Sequence, residues 1–186
     1  MSSIQPREIA LKTGEKIIVR SVLPEDTKRF QELSAEIVGE REYMVTLPEE
    51  FLFTEEQERL WLRQHNDSPR AIFLLAFTQS MLVGYLHFAC QERRRRAHSG
   101  TFGMAVRKQW REKGVGRALL QALLDWAQDN PDVEKVRLEV FATNSRGIHL
   151  YQSLGFVEEG RLSKEIQIAP GHYVDLVLMS RFVKGG

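Results

Sequence analysis

The chain has 186 residues, is 42% hydrophobic and 27% charged, and carries a formal net charge of +1. That length and balance fit one globular domain with a core that needs no staples, and they exclude disordered, fibrous and strongly nucleic-acid-seeking chains. A single cysteine, Cys90, excludes an internal disulfide and fits a reducing compartment, while no signal-peptide core and no apolar run near the roughly 20 residues of a spanning helix is found. The expectation is a soluble, cytoplasmic protein forming a single domain over residues 1–186, with no membrane or nucleic-acid partner.

In chain order, the β-branched Ile17, Ile18 and Val19 predict a first strand. Pro24, Glu25 and Asp26 then read as a helix start, followed by Phe30, Leu33 and Ile37 at helical spacing up to Gly39. Thr54 and Gln57 have the spacing of a capping box, which opens a second helix over TEEQERLWLRQH. The period then changes. Ala71–Thr78 and Met81–Cys90 are dense apolar runs split by Gln79-Ser80, as in a hairpin, and Thr101–Val106 reads as a further strand. Gly114–Ala127 is a helix with Val115, Leu119, Leu123 and Trp126 on one face, widened by Leu120 and Leu124, and Asn130-Pro131 stops it. Val136–Phe141 is a strand, and Ser145–Leu154 is a short helix closed by Gly155. Two last strands, near 157–168 and 173–182, meet at Pro170-Gly171. The order β-α-α-β-β-β-α-β-α-β-β predicts an α/β (α+β) fold with a mixed central sheet of about seven strands flanked by about four helices.

The segment VRKQWREKGVGRALL, Val106–Leu120, sets two glycines in a basic turn at the mouth of a helix. The first N–H groups of a helix lack intrahelical partners, and the helix dipole adds positive charge there. Glycines let a ligand approach the backbone, so the turn reads either as an anion site for phosphate or as a surface turn. A P-loop fails because Gly116 is followed by Arg117-Ala118. A dinucleotide turn fits Gly114-Val115-Gly116 but meets Leu119 where the third glycine belongs, and it should follow the first strand. The pattern R-x-x-G-x-G is matched in full by Arg111–Gly116.

That last pattern resembles the coenzyme A loop of the GNAT family, the Gcn5-related N-acetyltransferases. Downstream, LEVFATNSRGIHLYQSLGF, Leu138–Phe156, resembles the family's second signature, and GHYVDLVLMS, Gly171–Ser180, its last strand. The resemblance implies the GNAT fold and an acetyl-CoA-dependent N-acetyltransferase, with acetyl-CoA as co-substrate and no metal. It implies that the strand at 101–106 splays from the strand at 136–141 and that pantetheine enters the gap like an added strand. Met104, Ala105 and Val106 would lie along it. Backbone N–H groups of Arg111, Glu112, Lys113, Gly114, Val115 and Gly116 would hold the pyrophosphate, with Arg117 continuing the helix start and Asn144 contacting the cofactor beyond the gap. The acceptor is a small-molecule or peptide amine, and, because relatives are often dimers, a homodimer is a further expectation. A non-catalytic acyl-CoA-binding or regulatory module would keep the loop but not need Tyr151.

The implied reaction is attack of an amine on a thioester, and it needs no enzyme nucleophile. Tyr151 matches the family's general acid, and a phenol with an ordinary pKa of about 10 suits a thiolate of similar basicity. Glu139 is the candidate general base, by its resemblance to the glutamate of the LEV triplet in ribosomal-protein alanine acetyltransferases. Strand alternation sets it opposite Leu138 and Val140. A water chain, His98 or Glu92 are alternatives, and a backbone N–H near Val106 is the implied oxyanion donor. The run ERRRRAH, Glu92–His98, reads as a solvated hairpin tip, without the interleaved aromatics of a nucleic-acid surface. The five histidines lack ligand spacing, so no metal site is expected. Cys90 reads as a strand residue. Trp61 and Phe51-Leu52-Phe53 read as core, and the stretch Tyr43–Trp61 is where acceptor specificity is expected to be decided.

Overall fold

A computed structural model describes residues 3–50, 53–79 and 81–184. Its strands are β1 (Arg7–Ala10), β2 (Lys16–Ser21), β3 (Ala71–Thr78), β4 (Met81–Cys90), β5 (Ser99–Val106), β6 (Lys135–Phe141), β7 (Val157–Ala169) and β8 (His172–Phe182). Its helices are α1 (Thr27–Gly39), α2 (Glu55–Asp67), α3 (Val115–Asp129) and α4 (Ser145–Ser153). The strands form one sheet in the order β1-β2-β3-β4-β5-β6-β8-β7. Neighbours are antiparallel except β5 and β6, which are parallel because α3 carries the chain back between them.

The sheet has one strand more than the sequence predicts. The extra strand, β1, has the sequence REIA and shows no apolar alternation, since only Ile9 turns partly inward. Its pairing to β2 rests on a tight turn in which Gly14 adopts φ 85° and Leu11 bonds Glu15 at 2.7 Å. The other boundaries differ from expectation by a residue or two. Pro24–Asp26 is a single 3-10 turn leading into α1, and Thr54 and Gln57 cap α2 reciprocally. Ser80 of the expected β3–β4 turn lies outside the described residues.

Two apolar layers sandwich the sheet. On one face α1 and α2 set Phe30, Leu33, Ile37 and Leu62 against Phe73, Leu75 and Tyr85. On the other, α3 and α4 set Leu119, Leu120, Leu123 and Tyr151 against Leu86, Phe102, Val136 and Leu138. The wide apolar face predicted for α3 is wholly buried. β3 is buried along nearly its whole length, so its alternation is lost and it reads as a continuous apolar run.

Candidate active site

The feature that makes a site is a failure of pairing. β5 and β6 are joined only at Ser99–Lys135, Gly100–Val136 and Thr101–Arg137, and past that point they carry no shared ladder. Meanwhile β5 stays paired to β4 out to Val106, and β6 stays paired to β8 out to Phe141. A wedge-shaped gap therefore opens in mid-sheet from Phe102 onward.

Hydrogen-bond alternation says which backbone groups face that gap. Arg107 donates to Val83 at 2.9 Å and Gln91 to Ser99 at 3.1 Å, which sets the bonded pairs between β4 and β5. Gly103 and Ala105 thus bond into β4, and Phe102, Met104 and Val106 turn their peptide groups to the gap. Across it, Ala142 donates to Asp175 and Val183 to Glu134, both at 2.9 Å. By the same alternation Leu138 and Val140 bond into β8, and Glu139 and Phe141 face the gap. Of the three residues expected along the cofactor, Met104 turns its peptide groups to the gap and Val106 its N–H, the Val106 carbonyl being taken by the Arg111 guanidinium at 3.0 Å, whereas the backbone of Ala105 is used by the sheet.

At the open end of β5 lies the start of α3. Its first ladder bond runs from Ala118 N–H to the Gly114 carbonyl at 3.0 Å, so the N–H groups of Val115, Gly116 and Arg117 precede the ladder. Glu112 at φ 64° and Gly114 at φ 108° bend the chain into this helix start. A Cβ on Gly116 would meet Leu150 and Met104, each at 3.4 Å, so the glycine leaves a slot between β5, α3 and α4. The charges nearby are partly committed. Lys113 stacks over Trp110 and pairs with Glu15 at 3.3 Å, and Arg117 donates to Ser153 at 2.6 Å.

Arg111 plays a different part from the one its motif position suggests. Its N–H donates to the Lys108 carbonyl at 3.2 Å. Its guanidinium donates to the Val106 carbonyl at 3.0 Å and bridges to Glu42 at 3.0 Å and to Glu40. It fastens the end of β5 to the segment after α1. That segment reaches over the gap: Tyr43, at φ 56°, packs edge-on against Phe141 at 6.1 Å.

The profile of the Acetyltransferase (GNAT) family matches residues 40–156. The chain belongs to this family. It is 32% identical over 124 residues to the L-amino acid N-acetyltransferase AaaT of Escherichia coli (strain K12), covering 67% of this chain and 76% of that protein. It is 29% identical over 141 residues to the spermidine N(1)-acetyltransferase of Vibrio cholerae serotype O1, covering 69% and 75%. A solved GNAT-family acetyltransferase from Streptococcus pneumoniae superposes with a TM-score of 0.86 at 26% identity, over 90% of this chain and 99% of that one. The chain is accordingly an acetyl-CoA-dependent acyltransferase of GNAT fold.

Within the GNAT frame the two candidate catalytic residues flank the apex of the gap from opposite faces. Tyr151 on α4 lies on the α3/α4 side, 5.8 Å from the ring of Phe102, the first residue past the last β5–β6 pair. It is 9% exposed, and burial alone pushes its phenol up to about 12. The matched basicity expected of an ordinary phenol therefore does not hold in this site. Glu139 lies on the α1/α2 face and is exposed. Asn144 accepts from the Gly147 N–H at 2.9 Å and caps α4, and among the described residues its Nδ2 donates to no partner. The alternative bases Glu92 and His98 precede β5, at the closed end of the gap.

The Arg93–Arg96 run is an exposed tip between β4 and β5, at that same closed end. Cys90 is half-buried, with its thiol pushed up to about 11, which suits an inert strand residue. Trp61 joins the core, stacked on Phe30 at 5.9 Å and edge-on to Phe73 at 5.1 Å. Phe51 and Leu52 lie outside the described residues.

Sequence reasoning missed two features of the site. One is the brace that Arg111 makes. The other is His87 on β4, an isolated histidine in an apolar run, whose neighbours come from α2, β3 and β5.

Proposed function

We propose that this enzyme transfers the acetyl group of acetyl-CoA directly to a primary amine, with both substrates bound at once in the gap between β5 and β6. The observation that carries this reading is the coincidence of an open strand edge with a ligand-ready helix start at its end. Pantetheine pairs with Met104 and with the N–H of Val106 as an added strand, while Arg111 holds the Val106 carbonyl. Its pyrophosphate lies on the N–H groups leading into α3, from Glu112 to Arg117, with Lys113 beside them. Asn144 reaches the cofactor through Nδ2. The thioester then sits near Phe102 and Gly103, at the narrow end.

Tyr151 faces the departing sulfur. With its phenol near 12 it is protonated at every working pH. Full proton transfer to a thiolate of ordinary pKa, about 8.5, would run uphill by about 5 kcal/mol. Tyr151 therefore acts as a hydrogen-bond donor that stabilises the charge growing on sulfur, and solvent completes the protonation. Glu139 draws the acceptor's ammonium to the opposite face and relays its first proton to solvent, so that bulk pH rather than the carboxylate sets the free-amine fraction. The relatives' names point to spermidine and L-amino acids as the first acceptors to try.

Calorimetric titration with acetyl-CoA, with NAD and ATP as controls, tests the cofactor assignment. Thiol release from acetyl-CoA in the presence of spermidine or L-amino acids tests the transfer. Binding of NAD in place of acetyl-CoA would end this reading.

A further inference from the structure

His87 on β4 lies directly across from Gly103 on β5 and from Phe73 on β3. Counting on two residues from the last β5–β6 pair, Thr101–Arg137, Gly103 comes level with Glu139 on the far side of the gap. Glu139 in turn pairs with Leu178. One row therefore crosses the sheet on the α1/α2 face: Phe73, His87, Gly103, the gap, Glu139, Leu178. In this row the residue beside His87 is a glycine. A Cβ built on Gly103 would collide with His87 Nε2, so the ring must lean out of β4 and lie over the β5 backbone. Its Nε2 occupies the space a Gly103 side chain would fill, on the side of β4 nearer the gap.

The rest of the ring is enclosed. Trp61 and His65 of α2 pack on it at 5.2 and 5.8 Å between ring centroids, and Phe73 stacks on it at 5.9 Å. Among the described residues neither His87 nitrogen has a hydrogen-bond partner. The ring is thus held tightly, with its tip unpaired over a glycine at the narrow end of the gap.

We propose that His87 is the acceptor-side proton carrier of the transfer, its Nε2 receiving a hydrogen bond from the attacking nitrogen and then taking that nitrogen's proton as the carbon–nitrogen bond forms. This rests on the acetyl-transfer reading above. The nitrogen lone pair bonds to the carbonyl carbon, and the carbon–sulfur bond breaks with its electron pair going to sulfur. The amine proton passes to His87 Nε2, and sulfur, hydrogen-bonded to Tyr151, is protonated by solvent. The proton then leaves His87 to solvent. Burial, and next His65, hold the imidazole down to about 4, so the ring is neutral with its lone pair available. Such a base does not deprotonate a free ammonium of pKa about 10.4. It serves for the nitrogen once that nitrogen is cationic and bonded to the carbonyl carbon, where it is far more acidic. Glu139, across the row, is placed to relay the earlier proton to solvent. His65 is the titratable group packed against His87; burial lowers its pKa, and the hydrogen bond its Nδ1 donates to the Trp61 carbonyl at 3.0 Å opposes that in part.

The test uses the full chain with acetyl-CoA and two acceptors, spermidine and L-phenylalanine. Nitrogen NMR of the imidazole rings is recorded with and without acetyl-CoA. The His87 signals are expected to move on binding while those of His98 and His172 stay. His87→Gln is expected to bind acetyl-CoA as the wild type does and to lose about 10²-fold or more in kcat/KM, with a changed pH–rate profile. A histidine that only packs would lower the melting temperature and leave the profile's shape alone. Unmoved His87 signals with acetyl-CoA bound, or unchanged turnover by His87→Gln, overturn the proposal whatever the acceptor. Absence of acetyl-CoA binding overturns the acetyl-transfer reading itself and this one with it.

Discussion

Glu58 offers a clean perturbation of the layer beneath the acceptor face. It lies on α2, is 4% exposed, and its Oε2 has no hydrogen-bond partner among the described residues. Burial lifts its carboxyl from the ordinary 4.5 to about 7, with a smaller opposing contribution from a Gln31 hydrogen bond. The folded state thus holds this proton more tightly than the unfolded state does. Its contribution to stability is fully present below about pH 4.5 and is lost as pH rises through about 7. At 1.36 kcal/mol per unit, a shift of this size corresponds to at most about 3 kcal/mol. Glu58 lies in the first turn of α2, where the helix dipole favours the charged form and offsets part of that, so about 1–2 kcal/mol is expected.

The perturbation is Glu58→Gln, which keeps the shape and removes the titration. Urea unfolding followed by circular dichroism at pH 5, 6 and 8 gives the difference between variant and wild type, in which other titrating groups cancel. The variant should match the wild type near pH 5 and exceed it by about 1–2 kcal/mol at pH 8. A variant that is less stable than the wild type at pH 8, or a difference that does not change with pH, refutes the reasoning.

Three further outcomes follow from the site. Gly114→Ala has room for its methyl, with Leu11 3.7 Å away, so its cost is the backbone strain of φ 108°, about 1–3 kcal/mol in urea unfolding. Weaker acetyl-CoA binding should accompany it by calorimetry. Tyr151→Phe should lower kcat about 10²-fold with KM for acetyl-CoA unchanged, and the wild-type pH–rate profile should show no alkaline break from a phenol held near 12. Arg111→Ala should raise KM for both substrates, because it frees the Val106 carbonyl and the segment carrying Glu40 and Glu42. Arg111→Lys should not restore it, since one ammonium cannot reproduce the guanidinium fork; full recovery in steady-state kinetics would contradict the bracing role.

The half of the site proposed for the cofactor was legible because its determinants are local. The glycines, the helix start at 114–115 and the cap at Asn144 all act within a few residues of chain. β1 was not legible, because REIA has no alternation and is a strand only by virtue of β2 beside it. Arg111 was read by motif, and its guanidinium is occupied by partners about seventy residues away in sequence.

The acceptor half is non-local throughout, and α2 shows why that hides function. Glu55, Glu56 and Glu58 look alike in TEEQERLWLRQH, yet Glu58 is the buried one. The buried stripe of α2 runs Glu58, Leu62, His65, so two of its positions at helical spacing are titratable. That substitution of polar for apolar on an inward face was the available signal. It becomes chemistry only when β4 adds His87 beneath the stripe and β5 supplies the glycine over which His87 leans. Relatives that share the cofactor loop need not share this row, because nothing in acetyl-CoA binding requires it. The residues facing the amine are free to differ where the residues facing the phosphate are not, which is why one fold can serve many acceptors.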